Sequence, residues 1–203
     1  MAVAAITLPV LFSCSGGGSS SESLLFGEVP AIHGEMQEAM NALKEEYKTC
    51  NSESKAKSLM EKDEKLEEEY IAKIEKAAKA LDGKEISFSE SDVKVTSPVS
   101  LTFEKFFSKM DMTPYFKVNG SAEAAKDVTF DCDWAAFNVE IVGYGPDNQE
   151  LFSSKVGLID AEVNDGQAVV KAGTPVKFDY LQFGKKEVAE YQQATSLKLE
   201  IRK

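Results

Sequence analysis

Two aspartates, Asp131 and Asp133, have the spacing in this sequence that best suits acid–base chemistry. In a β-strand, residues two apart project from the same face and lie about 7 Å apart. Glycoside hydrolases separate their acid and base carboxylates by roughly 5–9.5 Å, so the pair would fit such an enzyme. Alternating acids are also typical of the solvent-facing side of an acidic β-sheet, and the sequence contains no nucleophile-elbow, phosphate-loop or metalloprotease motif. We therefore predict that the protein is not an enzyme, with a carboxylate-dependent glycoside hydrolase as the least favoured alternative.

Aromatic residues suggest a different function, because their ring faces can stack on sugars. The candidates are Tyr115, Tyr144, Tyr180 and Phe183. Strand alternation places Tyr180 and Phe183 on opposite faces, so the four cannot share one surface. Aromatic side chains of a β-sandwich more often fill its core. A carbohydrate-binding module is therefore the runner-up function.

The spacing of possible metal ligands is incomplete. Residues 160–166 superficially follow a calcium loop, but Asp165 occupies the position that requires glycine and Lys171 the position that requires a bidentate acid. The single histidine, His33, and the three cysteines lack the spacing of a zinc site. We predict no metal site and no cofactor, a solvated side chain for His33, and a polar connection between strands at 160–166.

Two kinds of secondary-structure element would position these candidate residues. The first is the α-helix. One apolar stripe comprises Met36, Met40, Leu43, Tyr47 and Cys50, and a second comprises Leu59, Leu66, Tyr70, Ile74, Ala77 and Leu81. Roughly 160° separates the two stripes on a continuous helix, so one straight rod would carry apolar residues on opposite faces. A turn at 51–54, where Asn51 and Ser52 suit an N-cap, would let the stripes face each other. The pattern predicts a helical hairpin or stalk over 34–82; one long helix is the alternative.

The second kind of element is the short β-strand, since residues 84–203 alternate with a period of two. Leu197, Leu199 and Ile201 alternate with charged residues, and Val128, Phe130, Cys132 and Trp134 are predicted to share the inward face of another strand. Roughly seven to ten such strands without a long intervening helix are typical of a β-sandwich. The predicted fold class is α+β, with the helical hairpin or stalk followed by an antiparallel sandwich.

Part of this region resembles a known kind of module. The segment KAGTPVKF at 171–178, together with the strand, turn and strand that start at Val139, is similar to the small immunoglobulin-like modules of bacterial envelope proteins. The resemblance implies an immunoglobulin-like β-sandwich over 84–203. It also implies a role in binding or spacing rather than catalysis, as a fold-level analogy.

The N-terminus carries a targeting signal. An uncharged apolar run, MAVAAITLPVLFS, is too short to span a bilayer and ends in Leu11-Phe12-Ser13-Cys14. These four residues resemble the lipobox of bacterial lipoproteins. The resemblance implies a signal peptide at 1–13, lipid attachment at Cys14, and a lipid-anchored protein of the cell envelope, expected at the outer membrane on either its periplasmic or its surface side. Residues 14–33, rich in Gly and Ser, would form a flexible tether. The alternative is an ordinary signal core with an unrelated cysteine.

Assigning Cys14 to a lipid by this resemblance leaves Cys50 and Cys132. Exported proteins often pair such cysteines in a disulfide. The bridge requires the hairpin turn to dock on the sandwich with the two Cα atoms within about 7 Å. Alternatively, Cys132 is a small buried apolar residue beside Phe130. Both interpretations stay open.

The net charge of the chain argues against some classes of binding partner. With 34 acidic and 23 basic residues, the net charge is −11, which argues against binding nucleic acid. The sequence therefore predicts a non-enzymatic, membrane-anchored lipoprotein that serves display, assembly or protein binding at the bacterial cell envelope. Its expected partners are the membrane, through lipidated Cys14, and an unidentified envelope protein or glycan.

Overall fold

The computed structural model describes residues 25–106, 114–182 and 188–203. The predicted signal peptide at 1–13, the lipid site Cys14 and the aromatic candidate Phe183 lie outside the described residues. The α+β class is confirmed, with helices followed by antiparallel sheets. Within the described ranges, none of the helices combines the length and apolar content needed to cross a bilayer.

The predicted hairpin is confirmed. Helix α1 spans Val29–Lys48 and helix α2 spans Glu53–Lys79. Ser52 caps α2, because its side-chain oxygen accepts a hydrogen bond from the backbone N–H of Lys55 at 3.3 Å. The two helices face each other through Leu43 and Leu59, both buried. A salt bridge of 2.5 Å between Lys62 and Glu46 also joins them.

The start of the fold differs from the prediction. We expected a tether up to residue 33, but α1 begins at Val29, and Leu25 and Phe26 are buried in the main core. The Phe26 ring packs edge-on against Tyr191, with ring centroids 4.8 Å apart. His33 is only 1% exposed, so its prediction as a solvated linker residue was wrong. The breaker residues of this stretch do not prevent a helix, because Pro30 lies in the first turn, where a missing N–H costs nothing.

The hairpin docks on the sheets by one end only. Ile74, Ala77 and Leu81, near the end of α2, belong to the main core, as does Val29 at the start of α1. The buried pair Leu43 and Leu59 does not belong to that core. With 27 residues, α2 is about 40 Å long. The turn between the helices therefore lies at the far end of a stalk.

Two four-stranded sheets and a smaller third sheet follow. The first sheet contains, in spatial order, β1 (Glu85–Ile86), β2 (Val93–Phe106), β3 (Pro114–Ala124) and β10 (Tyr180–Gln182). The second contains β11 (Ser196–Arg202), β5 (Ala136–Tyr144), β6 (Glu150–Asp160) and β9 (Val176–Phe178). The third contains β4 (Val128–Phe130), β8 (Gln167–Val170) and β7 (Glu162–Asn164). All strand pairs are antiparallel, and a short helix α3 spans Val188–Gln193.

The sheets share one hydrophobic core. Buried side chains from the first sheet include Val99, Leu101, Phe116 and Leu181, and those from the second include Val139, Ile141, Ile159 and Leu199. The chain crosses between the two sheets at Asp179, whose N–H donates to Val156 O at 2.8 Å and whose carbonyl accepts from Val118 N–H at 3.0 Å. The third sheet contributes Ala168 and Val170 to the same core. The central strand β8 therefore anchors the third sheet to the core, and β4 and β7 pair with it on either side.

Candidate binding surface around Trp134

Trp134, the only tryptophan of the chain, is 54% exposed. We predicted that it would share the inward face of a strand with Val128 and Phe130, and for Trp134 this was wrong. Strand β4 ends at Phe130, and the N–H of Cys132 turns back to donate to Phe130 O at 3.0 Å. The chain then bends through 131–135, which directs the indole outward while Cys132 still packs against the core.

An apolar row crosses the third sheet and leads to Phe137, the aromatic residue next to Trp134. Val163 is opposite Ala168 in the β7–β8 pair, and Ala168 is opposite Phe130 in the β4–β8 pair, so the three side chains share one face. Phe130 stacks on buried Phe137 with ring centroids 4.0 Å apart, and Trp134 lies 6.3 Å from Phe137. Val163 is 43% exposed. Trp134 thus exposes its ring beside buried Phe137, and Val163 exposes its side chain in line with buried Ala168 and half-buried Phe130.

Hydrogen bonds fix the bend to the β7–β8 hairpin. Ala161 N–H donates to Ala135 O at 2.8 Å, and Gln167 Nε2 donates to Asp131 Oδ1 at 3.4 Å. The hairpin turns at Asp165 and Gly166, which have φ values of 49° and 79°. A two-residue turn with two positive φ angles is the connection that suits tightly paired strands. The predicted polar connection over 160–166 is therefore confirmed only for the turn, because Glu162–Asn164 form strand β7. In the described ranges, no three potential metal ligands cluster.

The carboxylates of this region lack internal counterions. Within the part of the chain that the structure describes, no ion pair involves Asp131, Asp133, Glu162 or Asp165, and all four are exposed. The Nζ of Lys203 donates to the backbone oxygen of Asp131 at 3.5 Å. We call Asp131, Asp133, Trp134, Val163 and Asp165 the Trp134 surface. Glu162 does not belong to it, because strand alternation places Glu162 on the opposite face of β7 from Val163.

Carboxylates on either side of the Trp134 surface are neutralised. Asp160 forms a 2.5 Å salt bridge with Lys177, and Asp127 forms one of 3.1 Å with Lys171. The backbone N–H of Ala172 also donates to Asp127 at 2.9 Å, and this bond and the lysine lower the pKa of Asp127. Asp160 and Asp127 therefore have counterions that the carboxylates of the Trp134 surface lack.

The carboxylate pair that the sequence suggested for hydrolysis is not on a strand. Asp131 and Asp133 occupy the bend, so the alternation that would set their separation does not apply. Oδ1 of Asp133 lies 3.8 Å from the position that a β-carbon would take at Gly166. The side chain thus lies beside the hairpin turn rather than opposite a second catalytic carboxylate.

The structure brings two of the aromatic candidates together. Tyr115 and Tyr180, on adjacent strands, stack with ring centroids 4.5 Å apart and planes inclined by 19°. Tyr180 is 39% exposed, and burial, Asp179 and Tyr180 raise the pKa of Tyr115. Because the rings cover each other, the pair offers edges and one outer ring face rather than a wide platform. Tyr144 lies on the other large sheet, where Lys198 Nζ covers its ring at 4.6 Å.

The possible Cys50–Cys132 disulfide does not form. Both cysteines are free thiols, and each is half-buried. Cys50 lies in the turn between the helices, where its Sγ donates to Ser52 O at 3.5 Å, whereas Cys132 lies in the bend after β4. The bridge required the turn to dock on the sheets, but the hairpin docks by its opposite end.

Sequence reasoning missed Trp134 as a surface residue, and it assigned Val163 no role in binding. A signal was present, because the acids on either side of Trp134 reduce the tendency of the segment to continue as a strand. No family model matches this sequence, and neither a curated protein nor a solved structure matches it.

Proposed function

We propose that this protein is a non-enzymatic, membrane-anchored lipoprotein of the bacterial cell envelope that binds a partner protein through the Trp134 surface. The observation that carries the proposal is the exposed indole of Trp134 on a rigid, hydrogen-bonded support. Tryptophan is the residue type most enriched among the side chains that dominate protein–protein affinity. A solvent-exposed tryptophan that is held in place loses little conformational freedom on binding.

Lipid attachment at Cys14 remains part of the proposal. The lipobox-like LFSC sequence supports it, and the described structure begins with two buried residues, Leu25 and Phe26, eleven and twelve positions after the cysteine. Replacing Cys14 by Ser should release the protein from membranes, as measured by fractionation of intact cells. Unchanged membrane retention of Cys14→Ser would reject lipidation.

The hairpin supports a role in display. Its outer half projects from the core and carries exposed salt bridges, Lys48–Glu45 within α1 and Lys62–Glu46 between the two helices. Such pairs keep a helix solvated and contribute little each, roughly 0.3–0.5 kcal/mol. The stalk separates regions of the envelope or of an assembly, while the Trp134 surface makes the specific contact.

We also propose that the β-part is related to immunoglobulin-like modules at the level of architecture. Two antiparallel four-stranded sheets that share one core support this relationship. The order of the strands differs from that of the constant-type domain, because the last strand β11 pairs directly with β5. The proposal therefore concerns the packing of two sheets and not a particular strand order.

A carbohydrate-binding module is the second candidate, and the stacked Tyr115–Tyr180 pair favours it. The exposed outer face of Tyr180 offers a stacking surface for one sugar ring. Loss of glycan binding by Tyr180→Ala, with Trp134→Ala unaffected, would support this function instead.

The main test is site-specific photocrosslinking in intact cells. A photoreactive phenylalanine analogue replaces Val163 on the Trp134 surface, and the matched control carries it at Lys155, an exposed residue of β6. We expect position 163, but not position 155, to capture one reproducible envelope protein, and the capture to disappear in the Trp134→Ala background. Identical products from both positions, or no product at 163, would overturn the proposal.

A further inference from the structure

The geometry points to the chemistry of the partner: we infer that the Trp134 surface binds a lysine- or arginine-bearing segment, with the cationic group over the indole and between the carboxylates. This inference rests on the proposed function and narrows it. It commits to a basic protein segment rather than to a sugar or a nucleic acid.

The first step is charge. Asp131, Asp133 and Asp165 place three carboxylates on two segments that a hydrogen bond between Gln167 and Asp131 joins, and neither 131–135 nor 161–167 contains a basic residue. Like charges placed close together repel, and a bound cation relieves this repulsion. An anionic partner would add to the repulsion, so the surface selects against phosphate backbones and acidic proteins.

The second step is the aromatic ring. Tryptophan is the best aromatic partner for a cation, because its ring face carries the most negative electrostatic potential of the aromatic side chains. Trp134 keeps more than half of its area exposed, and its packing contact is a tilted one with Phe137 at 6.3 Å. An arginine guanidinium can stack on such a ring and still donate hydrogen bonds to adjacent carboxylates.

The third step concerns competing cations within the molecule. Lys171 and Lys177 are held by Asp127 and Asp160, at 3.1 and 2.5 Å. Lys203 reaches the backbone oxygen of Asp131 and forms no ion pair with a carboxylate of the Trp134 surface. The described part of the chain therefore does not saturate the surface with its own cations.

The test uses the intrinsic fluorescence of Trp134, which reports on this surface alone because the chain has one tryptophan. The full chain, purified in a neutral detergent, is titrated with a hexa-arginine peptide, with hexaglutamate and with a neutral hexasaccharide. We expect only the arginine peptide to change the emission in a saturable manner, with affinity that weakens as salt is raised.

Two double variants separate a local site from overall charge. Asp131→Asn with Asp133→Asn should weaken binding by about tenfold at low salt, since each exposed ion pair accounts for up to about fivefold. Glu61→Gln with Glu64→Gln makes the same change in net charge on exposed positions of α2 and should leave the affinity unchanged. Equal weakening by both variants would show non-specific attraction to an acidic protein and overturn the inference.

The remaining outcomes are also distinct. A fluorescence response to the hexasaccharide instead of the arginine peptide would overturn the inference in favour of a glycan. Crosslinking from position 163 that depends on Trp134, without any response to the arginine peptide, would reject the cationic partner and leave the proposed function standing. Loss of both signals would reject the two proposals together.

Discussion

Two outward-facing surfaces of the β-part differ in whether their charged side chains form ion pairs. The first is the outer face of the second sheet, here called the Tyr144 face, which comprises Tyr144, Glu150, Lys198, Glu200 and Arg202. Tyr144 donates to Glu200 at 2.5 Å, and Arg202 bridges Glu200 at 2.7 Å and Glu150 at 2.8 Å. Beneath them Val142 has no exposed area. The second is the Trp134 surface, where the carboxylates have no ion pairs and the apolar side chains are exposed.

The difference separates a surface whose polar groups bind one another from the surface that we propose as a binding site. On the Tyr144 face, polar groups bind one another and cover an apolar strand residue, so their interactions contribute to folding. On the Trp134 surface, the exposed apolar side chains and the carboxylates without ion pairs do not contribute to the stability of the fold. Stability and binding should therefore respond in opposite ways to substitutions on the two surfaces.

The largest effect should come from removing the aromatic support of the Trp134 surface. Phe137→Ala deletes a buried ring that contacts both Phe130 and Trp134, and we expect a loss of about 3–5 kcal/mol of unfolding free energy by chemical denaturation. The matched control is Phe152→Ala, which removes a buried ring beneath Gly143, next to Tyr144. Only Phe137→Ala should shift the emission of Trp134. Equal shifts in both variants would show that the two surfaces are not independent.

Breaking the ion pairs of the Tyr144 face should have the next largest effect. Arg202→Met leaves Glu150 and Glu200 without their cation, and we expect a loss of about 1 kcal/mol, since all three side chains are partly solvated. Binding of the arginine peptide to the Trp134 surface should be unaffected. Denaturation at low and at high salt measures the change. An unchanged midpoint would mean that this network does not stabilise the fold.

The hydrogen bond of Tyr144 predicts a dependence on alkaline pH. Donation to Glu200 and burial raise the pKa of Tyr144 to about 12 in the folded protein, above its ordinary value of 10. The stabilisation is therefore complete below pH 10 and is lost as the pH rises through 12. The difference in unfolding free energy between the parent and Tyr144→Phe, about 0.5–1 kcal/mol at pH 8, should shrink over this window. A difference that stays constant up to pH 12 would contradict the assignment.

The smallest effect on stability should come from the carboxylates of the Trp134 surface. Asp131→Asn with Asp133→Asn should leave the unfolding free energy unchanged or raise it by a few tenths of a kcal/mol, because only repulsion is removed. High salt should abolish any gain. A clear destabilisation, measured by the same denaturation, would mean that these carboxylates support the fold as those of the Tyr144 face do.

The hairpin could be predicted because its evidence is local and periodic. Two apolar stripes that do not share a face require a turn, and Ser52 marks where α2 begins. The stretch from Leu25 to His33 could not be predicted in this way, because Gly27 and Pro30 suggest a linker, and its burial depends on distant partners such as Phe116 and Tyr191.

The Trp134 surface was missed for a related reason. The alternation from Val128 to Trp134 is that of an ideal strand, and the end of β4 is determined by the turn at Cys132 and by pairing with β8. The proximity of Asp131 to Gln167 arises from that pairing across a long stretch of chain. Alternation of apolar residues contains no information on where a partner strand stops.

The burial of Leu25 and Phe26 limits the distance between Cys14 and the core of the protein. Leu25, the first residue that the structure describes, is already buried in the core, and eleven peptide steps separate it from Cys14. Eleven steps extend at most about 40 Å by any path. A lipid on Cys14 would then confine the folded part to a thin shell beside the bilayer, comparable in depth to the length of α2. Within such a shell the local concentration of a membrane-associated partner is high, so even a weak contact at Trp134 would be populated.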